Sequence, residues 1–289
     1  MRILVAVLEA ADPGFLLGDE RLANIRRLME FGCYGRLEDP GCAGADLAWI
    51  CMGAGREANA PQEPRAESPA CLWEYLAGLG RRAVLFGIAP PFPQPVVLQP
   101  RAERLDVEYP LEPEAISPAG SHGLDCIQAL SRVRFGAIRH VLQTQQWDYL
   151  QFADPAPAQI RRFVPCDAYA EAASAHYLYW DQELGSLLEL LAEPCAILVV
   201  SARGNAAAPD TPGSFVLAEA GNRLTGEIKG ARLIDMAPTL LAIGGYDVPS
   251  WMQGTSLLVG KTVDQVREAG LSDDEEQLLR ERLSGLGYL

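Results

Sequence analysis

Four short apolar runs constrain this chain more than any other feature: "ILVAVL", "RAVLFGI", "DYLQFA" and "AILVVS". Each is shorter than a buried helix, rich in branched or aromatic residues, and bounded by turn formers, so each predicts a core strand. None alternates apolar with polar side chains as a strand with one wet face would. Strands apolar on both faces belong to parallel sheets covered by helices on both sides. The intervening stretches supply those helices. "LANIRRLMEFG" places Ile25, Leu28, Met29 and Phe31 on one side and reaches Gly32 as a stop, and "CLWEYLAGLG" repeats the arrangement. Helical patterns also cover 124–146 and 167–191, whereas "PPFPQP" must be a loop. Residues 100–122 have no period and predict an irregular connection. The expected architecture is α/β, one domain over 1–289, with a mostly parallel central sheet and helices on both faces.

Composition enters where partners are concerned. The formal net charge of −14 argues against nucleic acid or an anionic membrane as the main partner. The seven cysteines, Cys33, Cys42, Cys51, Cys71, Cys126, Cys166 and Cys195, are scattered with no CxxC spacing, the pattern of reduced thiols. "MRILVAVLEA" is apolar too briefly for a signal segment or a membrane span, so a cytoplasmic location is expected.

In open α/β sheets ligands bind beyond the carboxyl ends of the strands. The run "AILVVS" delivers Ser201, Ala202, Arg203 and Gly204 to that place, and "ILVAVL" delivers Glu9 and Asp12 through the loop "EAADPG". Ser201 is suited to ending its strand by bonding backbone groups.

Several stretches, in order along the chain, carry a family likeness. "LEAADP", "NIRRLMEFGCYGRLED", "AWICMGAG", "GRRAVLFGIAPPFPQPV", "QQWDYLQFADP", "DQELGSLLELL", "LIDMAPTLLAIGGYDVPSWMQGTSLL" and "DDEEQLLRERLSGLGYL" together resemble the type I phosphodiesterase/nucleotide pyrophosphatase branch of the alkaline phosphatase superfamily. The resemblance spans nearly the whole chain and implies the α/β fold of that superfamily, with the cap insertion of longer members reduced. It also implies chemistry in which two divalent cations, usually zinc, ionise a Thr or Ser nucleophile.

At the matched positions those groups are missing. The opening metal-binding Asp falls on Glu9, which can still ligate, but the nucleophile falls on Ala45. The Asp and His of the Asp-Arg-Ile-x-His segment fall on Ala158 and Arg162, beside Arg161. The Asp and His of Ser-Asp-His-Gly fall on Ala202 and Arg203, and the last family histidine falls near Pro209 or Asp210. The chain holds only three histidines, His122, His140 and His176, with no metal-binding spacing among them. His140 and His176 sit on helical patterns and read as surface or core; His122 reads as a loop or cap residue.

Two readings follow from the resemblance. In one the chain is a shortened, catalytically degenerate member without a cofactor, binding a ligand or a protein partner such as an active paralogue. In the other it is a metal-free enzyme acting on an anionic phosphate, sulfate or carboxylate substrate. Arg203, Arg162, Arg161 and Glu9 are the candidate binding residues, because guanidinium groups grip such anions through paired N–H donors. Equally, Arg203 can close the vacated hole by pairing with Glu9 or Asp12. Cys42, three residues before Ala45, is a substitute nucleophile only if a base stands nearby. A residual site for zinc or manganese would have to use Glu9, Asp12 and Asp210.

The remaining signals concern structure. Asp235 and Pro238 open a helix, Trp251 and Met252 plug a sheet edge, and Ser272 with Glu275 forms a capping box for a C-terminal helix over 272–287.

Overall fold

The computed structural model describes residues 1–38, 45–57, 71–86, 102–104, 122–204, 211–221 and 223–258. Its strands are β1 (Arg2–Leu8), β2 (Cys33–Glu38), β3 (Ala83–Phe86), β4 (Ala102–Arg104), β5 (Tyr149–Asp154), β6 (Cys195–Arg203), β7 (Pro212–Ala218), β8 (Gly226–Glu227) and β9 (Ala231–Arg232). Its helices are α1 (Pro13–Leu16), α2 (Ala23–Phe31), α3 (Ala45–Ala54), α4 (Leu72–Gly78), α5 (His122–Thr144), α6 (Ala156–Phe163), α7 (Tyr169–Leu188) and α8 (Met236–Gly244).

All four apolar runs are strands, and they pair as a parallel block. The sheet order is β4-β3-β5-β1-β6-β7-β2-β8, with β9 on β2. Strand β1 lies at the centre, parallel to β5 on one side (Leu8 opposite Asp154) and to β6 on the other (Val7 opposite Val200). Strand β7 runs antiparallel to both β6 and β2. Neither β2 nor β7 stood out in sequence: β2 is "CYGRLE", whose alternation of buried and wet positions suits the flank of the sheet rather than its middle. Within the 100–122 stretch, Ala102–Arg104 forms β4, parallel to β3 at the sheet edge.

Side chains alternate between two apolar cores, as a doubly covered sheet requires. On one face Val5, Val7, Leu198, Val200 and Phe215 pack with Ala48 and Met52 of α3, Trp73 and Leu76 of α4, and Leu240 and Leu241 of α8. On the other, Leu4, Ala6, Leu8, Phe152 and Val199 meet Ile25 of α2, Phe135 and Ile138 of α5, Ile160 of α6, and Tyr177 and Trp180 of α7.

Four local expectations are corrected. Phe31 is 55% exposed, so the buried stripe of α2 is Ile25, Leu28 and Met29. Gly32 ends α2 in extended backbone rather than in a left-handed turn (φ −141°). Its role is close approach, since a Cβ there would lie 2.2 Å from the Leu217 carbonyl oxygen. Asp235 does not cap α8 with its side chain. A short 3-10 turn over Leu233–Asp235 comes first, and the carboxylate accepts from Arg232 N at 2.9 Å and Thr255 N at 2.8 Å instead. Met252 is buried, with Trp251 packed beside it against the core that holds α8, rather than at a sheet edge. Ser272, Glu275 and the 272–287 helix lie outside the described residues.

One tertiary contact explains how α2 starts. Leu22 has no capping side chain, so the first N–H groups of α2 need outside acceptors. Asp181 of α7 supplies them, accepting from Asn24 N at 3.1 Å, Ile25 N at 2.8 Å and Asn24 Nδ2 at 3.0 Å.

Candidate functional site

The carboxyl ends of β1, β5 and β6 lie side by side, and a short loop after β1 runs across them. Ala10 in that loop has φ +55°, the left-handed region that costs a residue with a Cβ about 1–2 kcal/mol. Two hydroxyls hold the loop in place. Ala11 N donates to Ser201 Oγ at 3.0 Å, and Asp12 N donates to the Tyr177 hydroxyl at 3.1 Å. Ser201 in turn donates to the Arg203 carbonyl oxygen at 2.6 Å, so it bonds backbone at its strand end, as its position predicts. The Asp12 carboxylate accepts from Gly14 N at 2.7 Å and starts α1 with Pro13 in its first turn.

The most elaborate polar cluster at this end was not singled out in sequence. Asp154, the last residue of β5, is fully buried and faces α5 and α7. It forms an ion pair with Arg134, bonds His176 Nε2 at 3.0 Å, and accepts from Ser131 Oγ and Ala156 N, each at 3.3 Å. Burial alone would raise its pKa; the His176 hydrogen bond, the charges of His176 and Arg134 and the Ala156 N–H outweigh that and hold it below the ordinary 3.8. The available signal was a polar residue ending an apolar strand in "QFADP". Its partners, on α5 and α7, are distant in sequence.

The sequence-predicted residues divide into three groups. Glu9, Asp12 and Arg203 stand together at the strand ends. Glu9 N donates to the Asp154 carbonyl oxygen at 3.0 Å. Arg203 is half-buried, and its Nε is buried with no hydrogen-bond partner among the described residues. Ala202, on the opposite side of the strand, is 3% exposed and packs in the apolar core that includes Ala48 and Met52 of α3. Thus the two matched positions of β6 point to opposite faces of the sheet.

The second group lies on α6. Arg162 is exposed, its guanidinium carbon 5.1 Å from the Phe163 ring centre. Arg161 stacks over Tyr169 at 4.6 Å. Burial raises the Tyr169 phenol pKa; Arg161 opposes the shift and Asp12 adds to it, so Tyr169 stands between those charges. Tyr177 beside it stacks on Phe15 with ring centres 5.3 Å apart, and burial pushes its phenol pKa well up. Ala158 lies on the same helix and carries no donor. The third group is Cys42 and Asp210, which lie outside the described residues; Ala45 is the first residue of α3.

The donors among the described residues do not fit the two-cation centre that the family resemblance implies. Zinc takes about four nitrogen, sulfur or carboxylate ligands converging on one point. Among the described residues no group of three His, Cys, Asp or Glu side chains could hold a metal ion. The chemistry of the set gives the reason: Asp154 is committed to Arg134 and His176, Asp12 caps α1, and Ala202 and Arg203 offer no metal donor. His140 is exposed on α5 and His176 lies in the core. No helix among the described residues is long and apolar enough to cross a membrane.

No family model and no curated protein sequence matches the chain. Solved structures do match. A 2-O GAG sulfatase superposes with a TM-score of 0.60 at 14% identity, covering 89% of this chain and 73% of that one. A phosphonate monoester hydrolase from Silicibacter pomeroyi gives 0.60 at 13% identity, covering 94% and 78%. A protein in the alkaline phosphatase superfamily from Vibrio parahaemolyticus gives 0.55 at 13%, covering 90% and 70%. The chain shares the fold of these proteins, and at such identities the likeness extends to the fold alone.

Proposed function

We propose that this chain is a non-hydrolytic, alkaline-phosphatase-like protein that binds an anionic small molecule at the carboxyl ends of β1, β5 and β6, with Arg203 as the principal contact. The observation that carries this reading is the Arg203 side chain, placed at a strand end with a buried Nε that lacks a partner among the described residues. A buried donor without an acceptor costs about 1–3 kcal/mol, and an oxygen of a bound anion would remove that cost. Guanidinium offers a planar fork of N–H donors, which suits phosphate, sulfate or carboxylate held through two oxygens. The state of the neighbouring groups supports the same assignment. Asp154 has its charge balanced inside the protein, so it does not repel an anion as a free carboxylate would. Ser201 and Tyr177 fix the loop that borders Arg203 and leave it little freedom to close over an empty site.

The test is a thermal-shift and calorimetric titration with inorganic phosphate and sulfate. Ligand at 100 times its dissociation constant should stabilise the folded state by about 2.7 kcal/mol, and Arg203→Gln should abolish the response. An unchanged response in Arg203→Gln counts against the site. Stoichiometric zinc or manganese in the purified protein, with chelator-sensitive turnover of a nitrophenyl phosphodiester, would overturn the non-hydrolytic reading.

A further inference from the structure

Strand β6 runs on past β1 at its carboxyl end, since their pairing stops at Val7 opposite Val200. On the other side Arg203 stands opposite Pro212 of β7, a residue with no N–H to give to a ladder. The backbone that carries the Arg203 side chain thus lies beyond β1 and faces a missing donor on β7. The next backbone bond is from Gly204 N to the Thr211 carbonyl oxygen at 3.1 Å.

The Ser201 hydroxyl serves both sides. It donates to the Arg203 carbonyl oxygen at 2.6 Å and accepts from Ala11 N, in the loop after β1, at 3.0 Å. A hydroxyl has one proton, and with the Ala11 N–H on its oxygen that proton is directed to Arg203. The N–H, O–H and C=O groups then polarise one another along the chain of bonds. Ser201 and Ala11 are both fully buried, so neither end can turn to water instead. The loop has two further ties, from Glu9 N to the Asp154 carbonyl oxygen at 3.0 Å and from Asp12 N to the Tyr177 hydroxyl at 3.1 Å. Those reach β5 and α7. The Ser201 bond is the one that reaches the strand bearing Arg203, and it lies beside Ala10, whose φ of +55° has to be held by such ties.

We infer that Ser201 is the positioning residue of the strand-end anion site: its hydroxyl fixes the end of β6 from which Arg203 projects and couples that end to the loop after β1. This rests on the reading of Arg203 as an anion contact and adds the group that aims it and the loop that responds. Apparent affinity scales with the fraction of molecules in which the contact is in place, so loosening the strand end weakens the ligand without removing a ligand contact. By reciprocity, a bound anion must tighten the loop.

Two measurements on the full chain at pH 7 test this. Calorimetric titration with inorganic phosphate compares the wild type with Ser201→Ala, Ser201→Thr and Arg203→Gln. Losing one or both bonds predicts that Ser201→Ala weakens phosphate roughly five- to thirtyfold, whereas Ser201→Thr, which keeps the hydroxyl, stays within about threefold of the wild type and Arg203→Gln abolishes binding. Amide hydrogen exchange of the wild type, which needs no variant to fold, should show phosphate slowing Ala11 more than Ile25, whose N–H bonds Asp181 away from the site. If Arg203→Gln abolishes binding while Ser201→Ala binds as the wild type does, or phosphate leaves the Ala11 exchange unchanged, the positioning role is wrong and the Arg203 site stands. If phosphate does not bind, or Arg203→Gln binds it as tightly as the wild type, both readings fail.

Discussion

Replacing Arg134 with methionine isolates the energetics of the buried cluster at the end of β5. Arg134 is 4% exposed and Asp154 fully buried, so Arg134→Met leaves a carboxylate inside the protein with its arginine partner removed. Removing one partner of a buried ion pair costs about 3–5 kcal/mol. The lower end applies here, because His176 at 3.0 Å and two donors at 3.3 Å remain. At about 2 °C per kcal/mol for a chain of this size, the melting temperature should fall by roughly 6 °C at pH 7. The pH dependence is the sharper signature. In the wild type the Asp154 pKa is depressed below 3.8, so its stabilisation is present above that value and disappears as pH falls through the folded value. Without Arg134 one of the groups that oppose desolvation is lost, so the folded pKa rises from its depressed value. The variant then lacks part of the stabilisation that the wild type gains above that value, and the two converge once the carboxyl is protonated in both. Urea unfolding followed by circular dichroism from pH 3.5 to 8 should show a deficit that is largest at neutral pH and shrinks towards pH 4. Arg134→Met with Asp154→Leu should recover most of it. A loss under 1 kcal/mol at pH 7, or one independent of pH, would refute the reasoning.

Asp181→Ala removes the acceptor for the first N–H groups of α2 and should cost about 1–3 kcal/mol in denaturant unfolding; a neutral result would mean that water or another group caps the helix. Ala10→Gly relieves the left-handed backbone but frees the unfolded chain by about 0.4–1 kcal/mol, so stability should stay level or rise by up to ~1 kcal/mol, and a clear loss would show that φ +55° is not strained. Burial pushes the Cys33 and Cys195 thiols up to about 12, whereas Cys126 and Cys166 are exposed. A disulfide reagent followed by peptide mass mapping at pH 8 should therefore label Cys126 and Cys166 within minutes and reach Cys33 and Cys195 only after unfolding.

The parallel core of the fold was legible because its signal is local. Runs such as "ILVAVL" and "AILVVS" are apolar on both faces, and only a doubly covered sheet satisfies them. Strands β2 and β7 escaped notice for the opposite reason: β7 is placed by pairing with β6 and β2 by pairing with β7, and "CYGRLE" has no such run. Gly32 was recognised as a helix stop, but its need for a missing Cβ comes from the Leu217 carbonyl on a strand far along the chain. At the candidate site the order was reversed. Arg203 ends its strand, as the run "AILVVS" places it, whereas the arginines of α6 stack on Tyr169 and Phe163.

The sequence by itself determined which positions can supply a ligand atom: alanine at 45, 158 and 202 offers none in any fold, and three histidines bound what the rest of the chain can contribute. What only the tertiary structure decided is where the charges that remain are spent. Asp154 is spent on Arg134 and His176, and Asp181 on the start of α2, each partner standing on another element of the chain. Donor chemistry belongs to the residue, whereas the face it occupies and the partner it meets belong to register and strand order, which long-range pairing alone sets.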